Sequence, residues 1–318
     1  MSPTGQAEQM RIVEPVTAPE MALPLQAWPD HSPARMTRDF MLWRHLRVIR
    51  ARAMRHVHLI ADRLRGNAGP RAARSVYGVR MQSNWADRTF AYCQYGTYGP
   101  YLADLLASID RPFAFLDIGA NQGLFSLIAA RNPLCERIIA LEPVPETHRL
   151  LAANLALAGF GERARALNVG LSDTAGTHAI TINPVHSGQA SLEAHMEGRA
   201  ACRSIAIELV TMAGLDAHLP PDLPLFVKID VEGHEPVIIE ELLASRHAAR
   251  VIGIFYEHDN RWTDNATIAR ALYRAGFAKL KRYGRGKHFD VLAGPSPVPL
   301  ERIPAFEQGI AEAERQRA

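Results

Sequence analysis

The sequence predicts an α/β protein built on a mostly parallel sheet with helices on both faces. Short apolar runs of the kind found in buried parallel strands recur at 113–117, 137–142, 164–168, 225–230 and 251–256. Segments with helical periodicity follow at 123–131, 145–158, 234–244 and 264–275. The first strand opens directly into a glycine-rich turn. Strands that alternate with helices in this way indicate a doubly wound sheet.

One interval departs from the alternation of strands and helices. Residues 177–182 and 204–210 alternate like half-exposed strands, and a polar segment at 184–191 joins them. We predict a β-hairpin insertion whose loop covers the site. A terminal hairpin is predicted from the strand-like runs at 279–284 and 289–294.

The ends of the chain differ in composition from the α/β domain. Residues 1–34 are rich in proline and polar residues, which predicts a segment without a fixed fold. A basic helical extension is predicted over 35–82, the α/β domain over 83–294, and a tail over 295–318.

The basic extension contains a helix with an apolar stripe. Nine arginines lie between Arg35 and Arg65, against two aspartates. Such a helix either lies on an anionic membrane surface or acidic partner, or docks on the α/β domain or a second copy of the chain. Docking is the favoured alternative, and a homo-oligomer stays open. The stripe consists of Leu42, Leu46, Ile49, Ala53, Val57, Ile60 and Leu64.

The composition restricts the classes of function. The formal net charge of +3 does not indicate nucleic-acid binding. No apolar run has transmembrane length, and the first residues lack the pattern of a signal peptide. Three scattered cysteines favour a reducing compartment. We therefore expect a cytoplasmic protein, with the inner face of the membrane as the place of any lipid contact.

The glycine turn predicts a nucleoside-binding site. Its pattern is Asp117-x-Gly119-x-Asn121-x-Gly123, and the next apolar run ends in a carboxylate, Glu142, one βα unit later. A dinucleotide site requires a glycine at position 121, where the backbone approaches a diphosphate. The asparagine there favours S-adenosylmethionine (SAM), whose cationic end suits Asp117 and whose ribose hydroxyls suit Glu142.

Four blocks together resemble the FkbM-type family of SAM-dependent methyltransferases, over roughly 83–294. They are D-I-G-A-N-Q-G at 117–123, L-E-P-V-P-E at 141–146, N-V-G-L-S-D-T-A-G at 168–176 and K-I-D-V-E-G-H-E at 228–235. The resemblance implies a class I methyltransferase fold with a seven-stranded sheet, and methylation of a hydroxyl on a sugar or related metabolite. In this fold class Ser172 and Asp173 fall where the adenine edge is contacted.

Charged side chains at the carboxyl ends of two later strands are the catalytic candidates. His258 is the first candidate for the general base, because the ordinary pKa of histidine lies near working pH. Asp230 is the second. Lys228 would be the counter-charge that keeps Asp230 or Glu257 ionised.

The same carboxylates offer an alternative role as metal ligands. Asp230, Glu232, Glu257 and His258 could hold Mg²⁺, which would lower the pKa of an acceptor hydroxyl. Candidates for acceptor binding in the insertion loop are His186, Ser187, Gln189 and Ser191.

The sequence thus predicts a SAM-dependent O-methyltransferase acting on a hydroxyl of a saccharide, glycolipid or related metabolite. One alternative is an NAD-dependent oxidoreductase, which would require a glycine at position 121. Another is a non-catalytic scaffold protein that retains the fold and uses the basic helix as its working surface.

Overall fold

The computed structural model describes residues 33–66, 71–183, 186–188, 202–259, 265–283 and 287–295. Predictions for the proline-rich segment and the tail fall almost entirely outside these residues. The helices are α1 (Pro33–Arg65), α2 (Arg88–Tyr95), α3 (Pro100–Ser108), α4 (Leu124–Ala129), α5 (Pro145–Ala158), α6 (Glu235–Ala244) and α7 (Asn265–Arg274). The strands are β1 (Ala72–Arg74), β2 (Arg80–Gln82), β3 (Phe113–Ile118), β4 (Cys135–Leu141), β5 (Ala164–Leu167), β6 (Gly170–Leu171), β7 (Gly176–Ile182), β8 (Arg203–Val210), β9 (Leu225–Ile229), β10 (Val251–Asp259), β11 (Lys279–Tyr283) and β12 (His288–Gly294).

The central sheet has seven strands in the order β5-β4-β3-β9-β10-β12-β11. The strands from β5 to β10 pair in parallel, whereas β12 is antiparallel to both of its neighbours. The strand order reverses direction at β3, beside β9, and this switch point is where open α/β sheets bind ligands. The prediction of a mostly parallel seven-stranded sheet is confirmed.

The central strand β3 is buried on both faces. Phe113 and Phe115 point into a layer formed with α2 to α5, where the rings of Phe115 and Phe226 lie 6.3 Å apart. Leu116 and Ile118 point the other way, into a layer formed with α6 and α7. Each such side chain contributes about 1.5–3 kcal/mol to folding. This burial holds the carboxyl end of β3, and the turn that follows it, in a fixed position.

The predicted hairpin insertion is present as a separate small sheet. β7 and β8 pair antiparallel, and β8 also pairs in parallel with β6. Apolar residues on its inner side, Ile180, Ile207 and Leu209, pack with Val144 just after β4. The hairpin therefore stands over the carboxyl edge of the central sheet. Most of its loop lies outside the described residues.

The segment 75–97 contains a helix, α2, that the sequence analysis did not predict. The β1–β2 pair forms just before it, and α2 then begins after Asp87, whose side chain accepts a hydrogen bond from the Thr89 N–H at 2.9 Å. Gly96 ends the helix in the left-handed conformation, with φ 64°. Eight residues are too few to show a clear helical period in the sequence.

The basic helix α1 docks on α2 through one face. Ala51 is fully buried, Arg47 Nη1 donates to the Gly96 carbonyl at 3.1 Å, and the His58 ring stacks on Trp85 at 3.8 Å. Among the described residues, no helix combines the length and apolar character that crossing a bilayer requires. The opposite face exposes Leu46, Ile49, Val57, Ile60 and Leu64.

Candidate active site

A cavity of about 340 Å³ lies at the carboxyl edge of the central sheet. The residues that sequence analysis proposed divide into two groups around it. Asp117, Gly123, Ser172, Asp173 and His258 do not line the cavity. Those that do are Gly119, Asn121, Glu142, Lys228, Asp230, Glu232 and Glu257.

The glycine turn after β3 has a backbone that few residue types can adopt. Gly119 has a φ of +71°, and a Cβ there would lie 1.9 Å from the backbone carbonyl oxygen of Asp230. Asn121 also has a positive φ, 52°, and its Oδ1 accepts from the Gln122 N–H at 2.9 Å. Asparagine tolerates this conformation better than most side chains. The spacing of the turn residues is therefore a requirement of the backbone as well as of a ligand.

A buried asparagine holds the turn from behind. Asn154 on α5 is fully buried, and its Nδ2 donates to the Gln122 carbonyl at 2.7 Å. Its Oδ1 accepts from the Gln82 N–H at 2.6 Å. Asn154 thereby joins α5, the turn and β2, and its role is to fix the shape of the turn.

Glu142 directly follows β4 and lies beside the turn, with which it makes a hydrogen bond. Its Oε2 accepts from the Asn121 N–H at 2.9 Å, and its Oε1 accepts from the Val144 N–H at 3.0 Å. Burial raises the pKa of Glu142 to about 7, although these two hydrogen bonds lower it. A carboxylate held in this way has lone pairs left for two hydroxyls of a ligand.

Asp117 and Lys228 form a buried pair beneath the cavity. Asp117 is fully buried, accepts from the Ser126 hydroxyl at 2.7 Å, and lies 3.4 Å from Lys228 Nζ. Lys228 also donates to the Gly119 carbonyl at 2.6 Å. The expectation that Asp117 contacts the ligand directly is therefore corrected: its carboxylate is taken up by Ser126 and Lys228, and it supports the turn from below.

Lys228 carries a positive charge into the acidic part of the cavity. Its Nζ lies 3.6 Å from Asp230 Oδ2. Burial by itself lowers the pKa of Lys228, but the carboxylates of Asp230 and Asp117 outweigh burial and raise the pKa above its ordinary value. The structure thus pairs Lys228 with two aspartates.

Three carboxylates, Asp230, Glu232 and Glu257, line the end of the cavity beyond β9 and β10. The buried hydroxyl of Tyr98 donates to Asp230 Oδ2. Burial and the charges of Glu257 and Asp230 raise the pKa of Glu232 to about 9. Burial and Asp230 likewise raise the pKa of Glu257. This cluster can therefore present protonated and ionised carboxyl groups side by side near neutral pH.

His288 is a site residue that sequence reasoning missed. It lies on β12, its Nε2 is 3.0 Å from Glu257 Oε1, and its Nδ1 is 3.4 Å from Asp259 Oδ2. The hydrogen bond with Glu257 outweighs burial and raises the pKa of His288 to about 10. His288 and Tyr98 approach the cluster from elements distant in sequence, so neither follows a motif that could have identified it.

His258, the first candidate for the base, does not reach the cavity. It is fully buried, and its ring packs against Phe289 with centroids 4.9 Å apart. Successive side chains of a strand point to opposite faces, so Glu257 faces the cavity and His258 faces away. The structure corrects the assignment of His258 as the base for this reason.

The metal alternative receives no support from the geometry. In the part of the chain that the structure describes, no three His, Cys, Asp or Glu side chains are arranged to hold a metal ion. Of the four proposed ligands, His258 lies outside the cavity, and Lys228 brings a competing cation beside Asp230.

Ser172 and Asp173 lie just outside the cavity. The Ser172 hydroxyl donates to Asp173 Oδ1 at 3.1 Å and lies 3.0 Å from His234 Nε2. The preceding residues, Gly170 and Leu171, line the cavity. The cavity is therefore lined by the two residues of β6 and not by the two predicted residues that follow them.

A polar network fastens the described part of the insertion loop, 186–188, to the glycine turn. Asp87 accepts from the Ser187 N–H at 3.1 Å and from its hydroxyl, and it also accepts from Gln122 Nε2. The Ser187 hydroxyl also lies 3.0 Å from Asn121 Oδ1. Of the four predicted acceptor residues, His186 and Ser187 line the cavity, and Gln189 and Ser191 lie outside the described residues.

The seven-stranded sheet with β12 antiparallel at the second position from its edge, and the cavity at its switch point, define a class I methyltransferase fold. Residues 117–279 match the model of the methyltransferase FkbM domain. This match covers about half of the chain and includes the turn, Glu142 and the acidic cluster. The chain belongs to the FkbM methyltransferase domain family, and the family prediction is confirmed.

Curated relatives match shorter segments. The chain is similar to methyltransferase sdnD of Sordaria araneosa, at 42% identity over 81 residues, which cover 26% of this chain and 31% of that protein. It is similar to the AMB antimetabolite synthetase AmbE of Pseudomonas aeruginosa, at 41% identity over 73 residues, 23% of this chain and 3% of that protein. The chain thus spans about a third or less of the length of these relatives.

Among solved structures, the ribosomal protein L11 methylase of Lactobacillus delbrueckii subsp. bulgaricus is similar with a TM-score of 0.37. The identity is 13%, and the similarity covers 62% of this chain and 78% of that one.

Proposed function

We propose that the chain is a SAM-dependent methyltransferase that transfers a methyl group to a hydroxyl of a saccharide, a glycolipid or a related metabolite. One observation carries this proposal: a single cavity joins the glycine turn and Glu142 to the carboxylates beyond β9 and β10. The first set of groups fits a nucleoside, and the second fits a neutral polyhydroxylated acceptor.

The cavity fits SAM better than a dinucleotide. Asn121 lines the cavity at the position where a dinucleotide site requires a glycine, and its side chain would crowd a diphosphate there. Glu142 would accept from the ribose hydroxyls, and apolar side chains such as Leu171 and Leu209 would cover the adenine. When bound, SAM supplies a methyl group on a positively charged sulfur.

Asp230 is the proposed general base. Its backbone carbonyl lies against Gly119, so its side chain stands next to the turn that would hold the methionine end. The Tyr98 hydroxyl donates to its Oδ2, and Lys228 Nζ lies 3.6 Å from the same oxygen. Asp230 would take the proton of the acceptor hydroxyl, and Glu257 is the second candidate for this step. A positioned base contributes about 10²–10⁴-fold to a rate.

The rest of the acidic cluster suits a sugar. Because its pKa is raised to about 9, Glu232 can donate as well as accept hydrogen bonds near neutral pH. His288 adds a donor beside them. Vicinal hydroxyls, each a donor and an acceptor, match such a mixed set of partners, and every bond formed contributes about 0.5–1.5 kcal/mol.

The chain offers a direct experiment. We expect SAM and its demethylated product to bind in titration calorimetry, and NADH not to bind. Incubation with methyl-labelled SAM and a panel of saccharides should then label a saccharide hydroxyl. Binding of NADH in place of SAM would favour the oxidoreductase, and no binding of any nucleoside would favour the scaffold protein. Label on a nitrogen or carbon of the acceptor would contradict O-methylation.

The remaining sequence predictions are untested. They are the cytoplasmic location, a homo-oligomer and a peripheral membrane contact through α1. The observation that favours the membrane contact is the exposed apolar stripe on α1, which includes Ile49 and Ile60. Co-sedimentation with anionic vesicles, for the wild type and Ile60→Glu, tests it. Equal sedimentation of the two proteins would exclude the stripe as the contact.

A further inference from the structure

A second cavity, of about 240 Å³, lies between α1 and α2, and the proposed methyl transfer does not use it. We call it the basic cleft. Its polar lining consists of Arg52, Arg55 and His56 from α1, with Arg88 and Tyr92 from α2. Among the described residues that line the cleft, none is acidic.

Helical spacing places these side chains on facing sides of the two helices. Arg52, Arg55 and His56 are three and four residues apart, so they share one face of α1. Arg88 and Tyr92 are four residues apart and share one face of α2. Two buried alanines, one on each helix, form the floor of the cleft and let the helices approach closely.

The positive charges of the cleft have no counter-charge in the described part of the chain. None of the three arginines forms an ion pair with a described carboxylate. Asp87, next to Arg88, instead accepts from Thr89, Ser187 and Gln122. Arg55 donates to the Ala86 carbonyl through Nη2, while its Nε is buried without a hydrogen-bond partner.

The basic cleft adjoins the main cavity. Tyr92 lines both, and Arg88 and Thr89, neighbours in the first turn of α2, line the cleft and the cavity respectively. The Tyr92 ring also contacts His186, with centroids 6.0 Å apart, on the cavity side. The basic cleft and the main cavity are therefore neighbours that share the Tyr92 side chain in their walls.

We propose that the basic cleft binds the phosphate group of a phosphorylated saccharide whose hydroxyl is methylated in the main cavity; this inference rests on the proposed function. Guanidinium groups match phosphate oxygens in fork-like pairs. A carboxylate brings one charge and two oxygens, enough for a single fork. A phosphate monoester carries up to two charges and three terminal oxygens, which suit several arginines at once.

The test uses glucose 1-phosphate, glucuronate and glucose as probes in titration calorimetry of the full chain. We expect glucose 1-phosphate to bind at least about tenfold more tightly than glucuronate, as expected for additional charged hydrogen bonds. The double variant Arg52→Gln/Arg88→Gln, and Arg88→Gln alone, should lose at least about tenfold in that affinity. Arg63→Gln, an exposed arginine of α1 outside the cleft, is the matched control and should bind like the wild type.

Each variant is also titrated with SAM, and retained SAM affinity shows that the fold is intact. Three results would overturn the proposal that the cleft binds phosphate. They are no binding of glucose 1-phosphate to the wild type, equal binding of glucuronate, or an equal loss of glucose 1-phosphate affinity in the Arg63→Gln control. Failure of the proposed function is distinguishable from failure of the cleft. A wild type that binds glucose 1-phosphate but not SAM would support the phosphate site and contradict the proposed methyl donor.

Discussion

The two ends of the main cavity are built in different ways. The glycine-turn end comes from one continuous stretch, 117–123, and from the end of the next strand, and its contacts are largely made by the backbone. The acidic end is assembled from side chains of β9, β10 and β12 and of the segments that follow α2 and β9. Burial raises the pKa values of Glu232 and Glu257, and the hydrogen bond with Glu257 raises the pKa of His288. Backbone shape therefore governs one end, and charge governs the other.

The largest effect is expected at the turn, from Gly119→Ala. A Cβ there would collide with the Asp230 carbonyl, and the alanine would also have to adopt a positive φ. The strain costs about 1–3 kcal/mol and the crowding a similar amount. We expect SAM binding to be abolished in calorimetry and the free energy of unfolding to fall.

Gly159→Ala is the matched control for this change. Gly159 has a φ of +73°, but nothing lies within 4 Å of a Cβ there. It should lose stability through strain alone and keep its SAM affinity. Equal loss of SAM binding in both variants would contradict the claim that the shape of the turn at Gly119 is required for SAM binding.

The next largest effect is expected at the acidic end, from Asp230→Asn. The amide keeps the shape of the side chain but cannot take up a proton. Turnover in the labelled-methyl assay should fall by about 10²–10⁴-fold, with SAM affinity nearly unchanged. Asp173→Asn, which lies outside the cavity, should behave like the wild type. Unchanged turnover in Asp230→Asn would show that Asp230 is not the general base and would leave Glu257 as the candidate.

Glu142→Gln should weaken SAM binding by about 1.5–3 kcal/mol, because a charged acceptor for the ribose is lost. Glu208→Gln, an exposed carboxyl on β8 that bonds to Thr177, is the control. Equal SAM affinity in the wild type and Glu142→Gln, measured by calorimetry, would show that Glu142 does not bind the ribose.

The same variant has an expected pH signature without ligand. The pKa of Glu142 is raised from 4.5 to about 7 in the folded state, so the folded state binds the proton more tightly than the unfolded state. Its contribution to stability is full below pH 4.5 and is lost as the pH rises through about 7. Denaturant unfolding should show that the free energy of unfolding of the wild type falls by up to about 3 kcal/mol relative to Glu142→Gln as the pH rises through this range. Parallel stability profiles would contradict the shift.

The smallest effect is expected where the insertion loop meets the glycine turn, from Ser187→Ala. The Ser187 hydroxyl bonds to Asp87 and Asn121, but Asn121 Oδ1 keeps the Gln122 N–H. We expect a loss of about 1 kcal/mol in the free energy of unfolding and a small loss of SAM affinity. Thr177→Ala, an exposed hydroxyl on β7, is the control. A loss of SAM binding as large as in Gly119→Ala would show that the contact of the loop with the turn is as important for binding as the turn itself.

The fold was predictable because its signals are local. Each buried strand is a continuous apolar run, and the turn requires residues that permit positive φ at Gly119 and Asn121. Glu142 could be identified because one βα unit fixes its place next to β3. The helix α2 was missed because it is short, and Asp87 was missed with it.

The acidic end was only partly predictable because it depends on strand register. Asp230 and Glu257 end parallel strands, so their edge was known, but which of Glu257 and His258 faces the cavity depends on the pleat of β10. His288 comes into place only because β12 pairs antiparallel with β10, which sets Asp259 opposite His288. No motif in the sequence specifies that register.

The central claim is that the turn and Glu142 hold the nucleoside with its sulfur toward Asp230. A crystal structure of the chain with the demethylated product of SAM tests it most directly. The expected result is a ribose within hydrogen-bond distance of the Glu142 carboxylate and a sulfur between Gly119 and the Asp230 side chain. A nucleoside bound elsewhere, or a sulfur directed away from Asp230, would contradict the claim.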